Sequence, residues 1–151
     1  MPKDYAIELY FDAALENQVL KVWNILARRQ VSTLLIEIGA RPHISLCFPT
    51  STDLDQTKLR TLLESFAAQE RPLAVTFTAR LGIQLGGFYQ PGSWFPNCPV
   101  AQELPKDRVG DAFNALRDLK LPLKGHICSI GLVDLSSSNN QFVYDLGTSN
   151  A

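Results

Sequence analysis

Histidine and cysteine are both scarce in this chain, with two of the former and three of the latter in 151 residues. Two imidazoles could complete a zinc site only with scattered mixed ligands, so neither a metal nor any other cofactor is expected. The thiols Cys47, Cys98 and Cys128 are odd in number and lack CxxC spacing. That argues against a disulfide framework and for free thiols in a reducing compartment. No run approaches about 18 consecutive apolar residues, and residues 1–5 (MPKDY) lack an apolar signal core. These absences predict a cytoplasmic protein with no membrane partner. An excess of positive charge is missing too, since 14 Lys and Arg face 15 Asp and Glu for a net charge of −1. A long phosphate-gripping stripe of the kind that holds DNA is excluded, whereas a small local phosphate site is not.

What remains is an ordinary globular balance, 46% hydrophobic and 19% charged, in a length that suits one domain. Residues 5–11 (YAIELYF) alternate and read as a strand. Asp12 is placed to cap a helix to about Arg29, with Leu15, Val19, Val22, Trp23 and Leu26 on one face. Residues 33–38 (TLLIEI) read as a second strand broken at Gly39, and residues 43–48 (HISLCF) as a third. Asp53 or Asp55 caps a second helix with Leu59, Leu62, Leu63 and Phe66 on its apolar face. A strand follows Pro72, and residues 86–99 form a loop rich in Gly, Pro and aromatics. A third helix runs from Pro105 to near Pro122 with Val109, Ala112, Phe113, Leu116 and Leu119 inward. Residues 125–135 (GHICSIGLVDL) make a strand apolar on both faces. The order predicts an α+β domain over 1–135, helices packed on a mainly antiparallel sheet. Residues 136–151, Ser- and Asn-rich, are expected to be a mobile polar tail.

The segment His43-Ile44-Ser45-Leu46 carries the chemistry. Side chains at i and i+2 of a strand share a face, roughly 7 Å apart along the chain. His43 and Ser45 therefore project together, while Ile44, Leu46 and Phe48 point the other way. An imidazole exchanges protons near neutral pH, and the nearby hydroxyl can hydrogen-bond a phosphate oxygen. Such a pairing suits making or breaking a phosphodiester, although a packed histidine at a strand start is a common alternative. Cys47 shares this face but lies two strand steps beyond Ser45, too far from His43 to form a nucleophile pair.

Strand, helix, strand, then Arg41-Pro42-His43-Ile44-Ser45-Leu46 and a further helix resemble the two-histidine (2H) phosphoesterase superfamily, which includes 2′-5′ RNA ligase-like proteins and cyclic nucleotide phosphodiesterases. Residues 94–101 (WFPNCPVA) resemble the family's second motif in their flanks. Asn97 stands where that family has its second histidine, and Pro99 where it has a phosphate-binding Thr or Ser. The chain is also short between Gly87 and Phe88, where relatives carry a further strand and helix. The resemblance implies a bilobal fold with a shortened second lobe. It implies metal-free action on 2′,3′-cyclic or 2′-5′ phosphodiester linkages of RNA ends or small nucleotides, as cyclic phosphodiesterase or RNA ligase-like enzyme. His43 would move the proton, Ser45 would bind phosphate, and Asn97, Arg41 and Trp94 would support binding in an expected monomer. Because asparagine exchanges no proton near pH 7, the alternative is a non-catalytic module that binds nucleotide phosphate.

His126 is the other histidine, and a stand-in for the second catalytic one. In His126-Ile127-Cys128-Ser129 the residue sharing its face is Cys128, so the His-x-Ser register is missed by one residue. Tyr10, Phe88, Tyr89 and Trp94 are candidates to stack a base, and Trp23 and Phe66 are expected in the core. Residues 82–87 (GIQLGG) carry neither GxGxxG nor a P-loop and read as a turn. Glu8 and Glu37 look isolated, so no paired carboxylates are expected.

Overall fold

The computed structural model describes residues 4–50, 55–77, 98–101 and 103–147. Strand β1 (Tyr5–Phe11) leads into helix α1 (Ala13–Arg28), followed by the short helix α2 (Leu34–Glu37) and strand β2 (Ile44–Cys47). Helix α3 (Gln56–Gln69) and strand β3 (Leu73–Phe77) come next. A 3-10 turn (Lys106–Arg108), helix α4 (Val109–Ala115), strand β4 (Leu123–Asp134) and strand β5 (Asn139–Asp145) complete the described elements. The fold is therefore α+β, and among the described residues every strand pair of the five-stranded sheet is antiparallel.

Two aspartates start the long helices. Asp12 accepts from the N–H of Leu15 at 2.8 Å, and Asp55 from Thr57 and Lys58 at 3.1 and 3.2 Å, so each satisfies amides left orphaned in a first helical turn. α1 buries Leu15, Val19, Val22, Trp23 and Leu26 on one stripe, the spacing the sequence shows. With Leu63 and Ala67 of α3 it covers the sheet face that carries Ile7, Phe11, Ile44, Ile130 and Leu132. A second cluster joins Val22, Leu26 and Val31 to Ala101, Ala112 and Leu116.

β4 is the spine. β1 pairs with its residues 127–134 on one edge, while β3 pairs with 123–127 and β5 with 129–134 on the other. The buried residues of β4 are concentrated at 127–133, where the strand is paired on both edges.

Several expectations are corrected. Residues 33–38 form no strand; Leu34–Glu37 is a helical turn closed by Gly39 at φ +68°. A short apolar run has no period of its own, and a left-handed glycine closes a helix at no steric cost. Residues 136–147 are not a mobile tail. Asp134 accepts from the N–H and the hydroxyl of Ser136, turning the chain so that β5 pairs with β4 and buries Phe142. Phe66 and Phe113, expected inside, are 45% and 51% exposed. α4 ends at Ala115, sooner than its apolar spacing suggests. No helix among the described residues is long and apolar enough to cross a membrane.

Candidate functional site

Register brings the site together. Glu8 of β1 lies opposite Ser45 on β2 and opposite Gly131 on β4, and directly opposed residues share a face. His43 stands two residues before Ser45 and Tyr10 two after Glu8, so all four belong to the face turned away from α1 and α3. Glu8, His43 and Ser45 are each buried, yet all three line a cavity of about 360 Å³. Arg41 and Asn140 join them, and Leu35, Ile38 and Val133 form an apolar side.

The ring of His43 is held at both nitrogens. Nδ1 meets the backbone carbonyl of Arg41, which only accepts, so the Nδ1 proton is retained. Nε2 lies 3.2 Å from Glu8 Oε2. Burial pushes the Glu8 carboxyl above its ordinary range, against the opposing pull of His43, Tyr10 and Arg41. The Tyr10 hydroxyl lies 3.0 Å from Glu8 Oε1 and 2.9 Å from Asn140 Oδ1. With a single phenolic proton, it serves one of these at a time. Burial, and then the Glu8 charge, drive the Tyr10 phenol up, so it stays a donor.

Arg41 forms the cationic rim. Its Nε donates to Glu16 at 2.7 Å, and the guanidinium carbon sits 4.3 Å from the centre of the Tyr10 ring. Tyr10 is thus roofed by Arg41 and buried, which takes it out of the expected base-stacking set. β2 also departs from simple alternation. Ser45 opposes Glu8 while Cys47 opposes Ile7, leaving Leu46 as an inserted residue. Such a bulge reverses facing, so Phe48, expected in the core, lines the cavity, and exposed Cys47 leaves the histidine's face.

His126 is elsewhere. It lies beyond a second irregularity in the β1–β4 register, its side chain 58% exposed and 3.8 Å from Asp12, and it is not among the cavity residues. Pro99 is fully buried, its carbonyl accepting from Trp23 Nε1 at 3.1 Å. Cys98 beside it is buried and its thiol is pushed up to about 12 by desolvation, with the His43 backbone N–H as counterweight. Trp94 and Asn97 lie outside the described residues, as do Phe88, Tyr89, residues 82–87 and the short stretch at 87–88. Among the described residues no group of three His, Cys, Asp or Glu side chains is placed to hold a metal ion.

Sequence reasoning passed over Glu8, Asn140 and the carboxylate–imidazole contact. The available signal was an acid in the middle of an aromatic strand, in step with Ala6 and Tyr10. Its partner lies 35 positions away, and only strand pairing unites them. Compared with described protein families and with curated proteins, the chain matches none.

Proposed function

We propose that this domain handles phosphodiesters in the manner of the two-histidine phosphoesterases, on 2′,3′-cyclic or 2′-5′ linkages of small nucleotides or RNA ends, without a metal. The bilobal arrangement, with residues 94–101 supplying the second half of the site, belongs to this proposal, as do cytoplasmic location and a monomeric state. The supporting observation is that His43 and Ser45 line one cavity of about 360 Å³. In this reading Ser45 Oγ binds a non-bridging phosphate oxygen. His43 Nε2 takes a proton from the attacking hydroxyl or gives one to the departing oxygen, a transfer typically worth about 10²–10⁴ in rate. Arg41 offsets charge at the rim.

The test is hydrolysis of 2′,3′-cyclic nucleotides in the presence of chelator. Turnover by the wild type that falls about 100-fold or more in His43→Ala supports the reading. Wild-type turnover unchanged in the variant overturns it.

A second reading, a module that binds a nucleotide phosphate without converting it, is favoured by one observation. Among the described residues only one imidazole lines the cavity, with His126 on another part of β4 and Pro99 beneath Trp23. Saturable binding of the cyclic nucleotide with no product after long incubation selects this reading.

A further inference from the structure

The charges around the cavity do not favour an anion as they stand. Glu8 and Glu103 both line it, against Arg41 and His43. Arg41 is already paired with Glu16. Because His43 Nδ1 keeps its proton against the Arg41 carbonyl, one proton remains for the Nε2–Oε2 contact. Wherever that proton sits, on nitrogen or on oxygen, the pair is neutral. A phosphate oxygen that approaches Nε2 must compete with a buried carboxylate for the proton held there, and that carboxylate, when ionised, repels it through a medium of low polarity.

We infer that the Glu8–His43 pair makes the cavity a proton-coupled anion site, in which binding a singly charged phosphodiester brings one proton from solvent onto that pair. The inference rests on the phosphodiester reading above and adds a condition to it. The balance is simple: the neutral pair plus one proton gives a carboxylic acid at Glu8 and an imidazolium at His43, a single positive charge against a single negative one. Nε2–H then turns its bond from Oε2 to the ligand, and the Glu8 O–H stays beside it. A doubly charged phosphomonoester leaves one charge uncompensated, so the same arrangement selects the diester. Glu8 acts here through His43 as a positioning residue.

The groups facing the pair agree with this assignment. From β1, Tyr10 reaches Glu8 Oε1 as a phenol. From β5 comes the neutral amide of Asn140, and from the loop before α4 the second carboxylate, Glu103. Arg41 precedes β2 and is engaged by Glu16 of α1, while the Cys98 thiol behind His43 stays protonated. Burial already biases Glu8 toward its acid form.

Calorimetric binding of adenosine 2′,3′-cyclic monophosphate to the full chain, in two buffers of equal pH and different ionisation heat, tests the inference. At pH 7.5 we expect uptake of about one proton per ligand, with the Kd weakening about tenfold per pH unit above neutrality. In the double variant Glu8→Gln/His43→Gln, which leaves neither group to take the proton, the uptake disappears and the Kd becomes flat with pH. Adenosine 3′-monophosphate should bind the wild type at least about tenfold more weakly than the cyclic diester, a gap of one decade in Kd. Binding without proton uptake overturns the inference and leaves the phosphodiester reading standing, as does uptake that persists undiminished in the double variant. Absence of any binding overturns both. The wild-type heats decide the matter even where the variant does not fold.

Discussion

One carboxylate joins two elements: Asp12 accepts from the N–H of Leu15 through Oδ1 at 2.8 Å and from the N–H of His126 through Oδ2 at 2.6 Å. It caps α1 and ties that cap to β4. The Leu15 N–H first, with help from His126, holds the carboxyl below its ordinary value of 3.8. Asp12→Ala should cost about 1–2 kcal/mol in urea unfolding at pH 7, the range for a lost N-cap. A depressed folded-state value contributes stability that is present above the unfolded value and lost as pH falls through the folded one. The gap between wild type and variant should therefore narrow as pH falls below 3.8. A gap independent of pH down to 2 contradicts the role.

Glu8 should show the opposite dependence. Its folded-state carboxyl is raised above the ordinary 4.5 by burial, so its contribution is fully present below that value and is lost as pH rises through the folded one. The stability of Glu8→Gln should thus rise relative to that of the wild type as pH is raised from 4 to 8. Urea midpoints across that range decide the sign of the trend.

Ser45 is placed as the phosphate ligand of the proposed site. Ser45→Ala should weaken the apparent affinity for a 2′,3′-cyclic nucleotide by about tenfold or somewhat more, the usual scale for a hydrogen bond to a charged group. Its effect on KM should exceed its effect on kcat. Loss confined to kcat would point to a different role.

Gly131 has no room for a side chain. A Cβ there would stand 2.8 Å from the Phe142 carbonyl oxygen, 2.9 Å from Val143 Cγ2 and 3.1 Å from the Tyr10 ring. Because Gly131 opposes Glu8 in the sheet, Gly131→Ala should both destabilise the fold by about 1–3 kcal/mol and displace the phenol that bonds Glu8. Equilibrium unfolding together with the ring resonances of Tyr10 would register the two effects.

Phe142 tests the C-terminal hairpin. Buried on β5 and covered by Arg60, whose guanidinium lies 5.0 Å from the ring, it should cost about 3 kcal/mol on replacement by alanine. Protection of the β5 amides from exchange with solvent supplies an independent check. Rapid exchange there in the wild type would restore the picture of a loose tail.

The helices of this chain announce themselves because their signals are local. Asp12 and the Leu15–Leu26 stripe specify α1 within four turns of chain, and Asp55 marks the start of α3. The His43–Ser45 face is equally local, two residues of one strand. What the sequence hides is non-local. Residues 33–38 are too short to declare a period, and the polar composition of residues 136–141 masks a turn whose purpose is to return Phe142 to the core. The bulge at Leu46, which exchanges Cys47 for Phe48 on the histidine's side, has no residue signature. Pairing of Glu8 with His43 depends on the β1–β2 register, and register is a property of the assembled sheet.

The cavity takes its floor from residues 8–48 and part of its opposite wall from Val133, Leu135, Ser138 and Asn140. During synthesis the histidine leaves the ribosome about ninety residues ahead of that wall, several seconds at ordinary translation speeds. Until the late hairpin docks, the Glu8 carboxyl lacks the burial that raises it in the folded domain. Completion of the cavity thus waits on the β4–β5 hairpin, whose Asn140 is the last of the lining residues to be synthesised.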